Sequence, residues 1–161
     1  MHEIVTLIAK YAIALPLLVG VIVWFRMPRN RRLEMAILMV VSVVVTAALM
    51  KLASMLHQDP RPFVRDGVHP YFAHSVDNGF PSDHTAYSAV IAFVVLRYSR
   101  LAGAALAIVS LLIGASRVVA GVHHGQDIIG GFLVAAIGVV ISILLVKLAP
   151  RPRRKQPESE A

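Results

Sequence analysis

Residues 35–50 read MAILMVVSVVVTAALM, a run in which only Ser42 and Thr46 are polar. With its flanks it extends over about 33–56, long enough for a bilayer core that needs about 20 apolar residues per helical span. Four more apolar blocks flank it, at about 4–25, 82–98, 101–119 and 128–148. Such blocks are too long for the core of a soluble domain. The whole chain agrees, being 57% hydrophobic and 16% charged, with a mean hydropathy of +0.71. The expected fold is all-α, a polytopic membrane bundle of about five transmembrane helices. It is one embedded domain over residues 1–149, followed by a charged, Pro-containing tail at 150–161 that is expected to be disordered. The third block is short for a span. Arg97-Tyr98-Ser99-Arg100 turns it into the fourth as an antiparallel hairpin. Small residues such as Gly103, Gly114, Gly130, Gly131 and Gly138 suit close helix contact in lipid.

The chain has no cysteine, which excludes disulfides and thiolate metal sites. Its first block lacks a basic start and runs into Arg26 rather than a small-residue cleavage site, so it reads as a retained span. The formal charge of +7 belongs to a membrane surface by its distribution, not to a nucleic-acid site. Eleven of the 16 basic residues (Arg26, Arg29, Arg31, Arg32, Arg97, Arg100, Lys147, Arg151, Arg153, Arg154 and Lys155) fall on one side of the five-span arrangement. The positive-inside rule puts that side in the cytoplasm, with the N-terminus outside and the C-terminus inside. All seven histidines then fall at or near the outer face. Trp24 and Tyr98 suit the inner aromatic belt, and the basic clusters suit anionic lipid headgroups.

Three outer segments carry chemistry: Asp59-Pro60-Arg61-Pro62, Pro81-Ser82-Asp83-His84, and the stretch from Ser116-Arg117 through His123 to Asp127. Two arginines supply permanently charged forks for phosphate oxygens. Ser82 and Asp83 stand where a helix begins, where free backbone N–H groups can receive an anion. A histidine can act as nucleophile or general acid, and a carboxylate can orient it. Asp127 lies one helical turn beyond His123, a spacing that suits this role. The set is that of phosphoryl transfer by positioning and charge stabilisation.

These segments resemble the signatures of the type 2 phosphatidic acid phosphatase superfamily, related to vanadium haloperoxidases: K-x6-R-P, P-S-G-H and S-R-x5-H-x3-D. Ser116, Arg117, His123 and Asp127 match the third in full. Pro81-Ser82-Asp83-His84 matches the second with Asp in place of Gly, and Arg61-Pro62 matches part of the first. The resemblance implies His123 as nucleophile through a phosphohistidine, Asp127 orienting it, and His84 protonating the leaving oxygen and then activating water. Arg61, Arg117 and the Ser82 backbone and hydroxyl would hold phosphate. It implies no cofactor and no metal, and the sequence offers no obvious carboxylate cluster for one. The lysine of the first signature would fall at Ser54. Lys51, about 4.5 Å away along a helix and about 60° around it, is one substitute. Lys10, an ionisable group inside the first span, is the other.

Arg61-Pro62-Phe63-Val64, with Gly79-Phe80 ahead of Pro81-Ser82-Asp83-His84, is similar to the bacitracin-resistance type of undecaprenyl-diphosphatase within that superfamily. The implied enzyme is a hydrolase of the cell membrane, metal-independent, with its site facing the periplasm or exterior. It would convert undecaprenyl diphosphate to undecaprenyl phosphate during cell-wall synthesis. Its partners would be this lipid substrate and membrane lipids, not nucleic acid. Alternatives are a phosphatase for phosphatidylglycerophosphate or phosphatidic acid, a lipid phosphotransferase, or a phospholipid binder without turnover. A transporter fits poorly, because the charged residues gather at one face rather than the midplane.

Each residue also has a plainer reading. His123 and His124 alone would be an interfacial pair, and it is Arg117 and Asp127 at the right spacing that change this. A His/Asp group can hold a metal, but the arginines would repel a cation. Asp83 suits a helix N-cap. His57, His69 and His74 read as solvated loop residues or headgroup contacts. Lys10 can instead snorkel to the surface.

Overall fold

The computed structural model describes residues 2–149; the expectation for the tail lies outside them. The described residues hold no strand, only an isolated bridge between Pro60 and Asn78. The helices are α1 (His2–Tyr11), α2 (Ala14–Arg26), α3 (Arg29–Leu56), the one-turn α4 (Pro62–Arg65), α5 (Asp83–Leu96), α6 (Arg100–Val119) and α7 (Gly125–Leu148).

Helices α3, α6 and α7 are each long and apolar enough to cross a membrane. The first apolar block departs from the single straight span expected of it. It forms α1 and α2, which meet at 45°. Pro16 is the cause: it has no N–H for the carbonyl of Ala12, and its ring would crowd that carbonyl in a continuous helix. Ala12 O turns instead to the N–H of Leu15 at 3.0 Å. The bent pair still has the composition of one span.

The third block also departs from a full span. Helix α5 has 14 residues, which gives about 21 Å of rise, short of the roughly 30 Å hydrocarbon core. It does not need that reach, because α2, α3, α6 and α7 pack around it. Ala86, Ala89, Val90, Ala92, Val94 and Val95 are completely buried. Around this axis, α3 turns a single stripe inward: Met35, Leu38, Ser42, Thr46 and Met50. Val40 and Val44 of α3, Ile108 and Leu112 of α6, and Leu133 and Val140 of α7 stay exposed. Apolar outer faces of this kind are expected where the solvent is lipid.

Without a hydrophobic drive between helices, contact depends on close approach of backbones. A Cβ at Gly103 would stand 2.3 Å from Leu96 Cα across the α5–α6 hairpin, and one at Gly138 would stand 2.2 Å from Thr46 Oγ1. At one end of the bundle Trp24 Nε1 donates to Arg32 O, while Arg32 donates to Phe25 O and Met27 O. Arg32 therefore clasps the α2–α3 turn, in addition to any lipid contact. At the other end lies the polar insertion between α3 and α5. Asn78 pins it: Oδ1 accepts the N–H groups of Asp59 and Phe80, and Nδ2 donates to Ser54 O and His57 O.

Candidate active site

The turn from α6 into α7 sets the geometry. Two residues beyond α6, Gly121 has φ +71°, a left-handed conformation that glycine adopts without penalty. Val122 N–H donates to Arg117 O and Gly121 N–H to Val118 O, the paired bonds of a Schellman motif. This closure places His123 one residue before the N-cap of α7, His124. Asp127 sits in the first turn of α7. Its Oδ2 accepts the backbone N–H of His124 at 2.9 Å and lies 3.1 Å from His123 Nδ1. The expected pairing is present, but helix spacing does not produce it, since His123 is outside the helix. The carboxylate folds back over its own helix start and meets the ring there.

With Nδ1–H given to Asp127, His123 presents Nε2 as a lone pair. Arg61 Nη1 lies 3.2 Å from that atom and Arg117 Nη2 3.5 Å from it. All four side chains are buried. Arg61 immediately precedes Pro62 of α4 and also donates to Asp77 and to Val122 O. Arg117 donates to Ala9 O at 3.0 Å. That carbonyl lies four residues before Ile13, in the interruption that Pro16 imposes. Burial is the main cause that pushes the His123 imidazole below its ordinary pKa, reinforced by Arg61 and Arg117 and opposed by Asp127. A neutral ring with an in-plane lone pair between two guanidinium groups can attack an electrophilic phosphorus whose oxygens those groups hold.

The other expected residues fall as follows. Ser82 is the N-cap residue of α5 and fully buried. Its N–H donates to Asp127 O at 3.0 Å, so that group is engaged and not open to an anion as expected; its hydroxyl accepts from Thr85. Asp83 is the first helical residue, exposed, and does not cap α5, because Ser82 takes that position. His84 lies half-buried in the first turn of α5, beside a turn that Ser82 ties to Asp127. Lys51 is exposed on α3. Lys10 has its Nζ 4.9 Å from the Phe72 ring centroid, and Arg117 Cζ lies 5.8 Å from the same centroid.

His74 does not have the solvated position expected of it. Its Nε2 is 2.8 Å from Arg117 Nη2, and its ring centroid is 6.3 Å from that of His123. Burial, then Arg61 and Arg117, push its pKa below the ordinary value. No spacing rule links a loop residue to an arginine 43 positions later, so the sequence holds no signal for this contact. His57 and His69 are exposed, as expected, with His57 edge-on to Phe80.

Folding also assembles a group that the sequence did not suggest. Asp59, His124 and Asp127 bring ligand-type atoms within 4.8 Å of one another. These three could hold a cation, but both nitrogens of His124 and both oxygens of Asp59 are already engaged. His124 Nδ1 meets Asp59 Oδ2 at 2.7 Å, His124 Nε2 meets Asp66 at 2.9 Å, and Arg65 donates to Asp59 at 2.7 Å. Burial alone would raise the Asp59 carboxyl; hydrogen bonds from Gln126 and His124 outweigh it and hold the pKa low.

Comparison with known proteins bears on this geometry. The family model described as PAP2 superfamily matches residues 35–152. The chain is 30% identical over 152 residues to the bacitracin transport permease protein BcrC of Bacillus licheniformis, covering 94% of this chain and 73% of that one. It is 32% identical over 140 residues to the undecaprenyl-diphosphatase BcrC of Bacillus subtilis, covering 85% and 70%. Among solved structures, LpxE of Aquifex aeolicus superposes with a TM-score of 0.71 at 25% identity, over 89% of this chain and 85% of that one.

Proposed function

This chain belongs to the PAP2 superfamily and is a multi-pass membrane lipid phosphatase, and from that premise we propose that it hydrolyses an isoprenoid lipid diphosphate, undecaprenyl diphosphate, through a phosphohistidine on His123. The observation that carries the reading is the His123 Nε2 atom, unprotonated by virtue of Asp127 and bracketed by Arg61 and Arg117. The name of the Bacillus subtilis relative supports the substrate class.

In the first step Nε2 attacks the terminal phosphorus. The N–P bond forms as the P–O bond to the lipid-side phosphate breaks, and His84 gives its proton to the departing oxygen. Arg61 and Arg117 take up the charge that develops on the transferred oxygens. In the second step His84 accepts a proton from water, whose oxygen attacks the same phosphorus and releases inorganic phosphate and free His123. Asp127 holds the tautomer throughout and stabilises the positive charge on the phosphorylated ring. The site faces the periplasm or exterior, a reading supported by the distribution of Lys and Arg.

The test is phosphate release by detergent-solubilised protein with EDTA present. Undecaprenyl diphosphate, phosphatidylglycerophosphate and phosphatidic acid are compared side by side, with His123→Ala as control. Release that favours undecaprenyl diphosphate and disappears in His123→Ala is the expected result. Preference for either glycerolipid would reassign the substrate, and full activity in His123→Ala would remove the mechanism.

A further inference from the structure

His74 and Lys10 stand outside the reaction just described, yet both approach it around a single ring. Phe72 has Lys10 Nζ 4.9 Å from its centroid, Arg117 Cζ at 5.8 Å and the His74 ring at 6.3 Å. His74 Nε2 and His123 Nε2 lie beside the same guanidinium nitrogen, at 2.8 and 3.5 Å. Lys10 follows Ala9, the residue whose carbonyl receives Arg117. The two side chains thus stand around Arg117, one coming from α1 and one from the loop between α4 and α5. Ser54, where the family lysine would stand, is instead tied to Asn78 and anchors the loop.

Charge counting gives this arrangement a use. A single phosphoryl group carries about −1.5 to −2 charges near pH 7, against the two guanidinium groups of Arg61 and Arg117, the first of them already paired with Asp77. A diphosphate ester carries a second phosphate beyond the one being transferred, and its charge exceeds what two guanidinium groups can match. Resting on the reading above, we propose that His74 and Lys10 form a subsite for the lipid-side phosphate, so that they select diphosphate over monophosphate esters. In the structure His74 accepts an N–H of Arg117. With substrate bound, that N–H turns to phosphate oxygen. His74, with the two neighbouring positive charges now met by phosphate, takes up a proton and donates to the lipid-side phosphate, and Lys10 adds its ammonium from its place over the Phe72 ring.

Substitutions His74→Gln and Lys10→Gln remove charge but keep hydrogen-bonding capacity. Two readouts separate the subsite from the transfer pocket: kcat/KM for farnesyl diphosphate, and the inhibition constant of inorganic phosphate, which needs only the pocket at His123. Each variant is expected to lower kcat/KM about tenfold while the phosphate constant moves less than about twofold, as fits loss of one charged hydrogen bond to the outer phosphate alone. A parallel rise in the phosphate constant would overturn the proposal by showing that the residues serve the transfer pocket through Arg117. Unchanged kcat/KM in both variants would overturn it as well. Wild-type protein that cleaves phosphatidic acid but no isoprenoid diphosphate would reject the subsite and leave the phosphohistidine reading standing. Protein that cleaves neither would reject that reading first.

Discussion

One oxygen of Asp127 serves two groups, the His123 ring and the N–H that opens α7, while its other oxygen is buried without a partner. Asp127→Asn therefore replaces a pure acceptor with a group that can also donate, and the His123 tautomer is no longer fixed. Turnover is expected to fall by roughly 10³–10⁴, as in other histidine–aspartate pairs, with little change in helix content; phosphate release and circular dichroism check this. The pH dependence follows from the same cluster. His123 must be neutral to attack, and its burial and two arginines lower its pKa, so the acid limb of kcat/KM is expected below the ordinary histidine value of about 6.5. Arg61→Gln removes a positive neighbour and favours the imidazolium. Its acid limb moves to higher pH, in addition to a lower rate, and a limb that moved to lower pH would contradict the assignment. At this scale the gathering of Arg61, Arg117 and Asp127 around His123 was legible from residue type and spacing. His74 was not, because a loop folded back over 43 residues brings it to Arg117.

Among the elements, two turns do most to shape the site. Gly121 at φ +71° closes α6 onto α7, and a Cβ there would also stand 3.0 Å from Val68. Gly121→Ala is expected to cost about 1–2 kcal/mol from the left-handed backbone alone, and to separate Arg117 from His123. A lower melting temperature in detergent and a reduced kcat check it. The second is the interruption at Pro16. Pro16→Ala lets α1 and α2 continue as one helix, so that Ala9 O returns to the helix ladder and Arg117 loses an acceptor. Activity is expected to fall about tenfold, the scale of one hydrogen bond to a charged group. Unaltered activity would show that Ala9 has no part in placing Arg117. The apolar blocks made the helices readable, and Pro16 was in plain view. What could not be read was its consequence, since only the packing of α1 against α6 shows which carbonyl becomes available. The shortness of α5 was likewise visible, but its burial on all sides depends on four neighbours.

For the whole molecule, the readable feature was the lipid-facing surface, because a long apolar run has few other destinations. Its orientation rests on Lys and Arg and can be tested cleanly, since the chain contains no cysteine. Val76, 77% exposed in the loop between α4 and α5, and Asn30 at the start of α3 are suitable positions. Val76→Cys is expected to react with a membrane-impermeant maleimide in intact cells, and Asn30→Cys only after permeabilisation; the reverse pattern would turn the site to the cytoplasm. The claim on which the account depends most is covalent catalysis at His123. The direct measurement is rapid quenching of the detergent-solubilised protein with undecaprenyl diphosphate labelled at its terminal phosphorus, in the presence of EDTA. The account predicts acid-labile, base-stable label on the peptide that contains His123, formed before phosphate release and absent from His123→Ala. Phosphate release without labelled protein, or label that persists in His123→Ala, would contradict it.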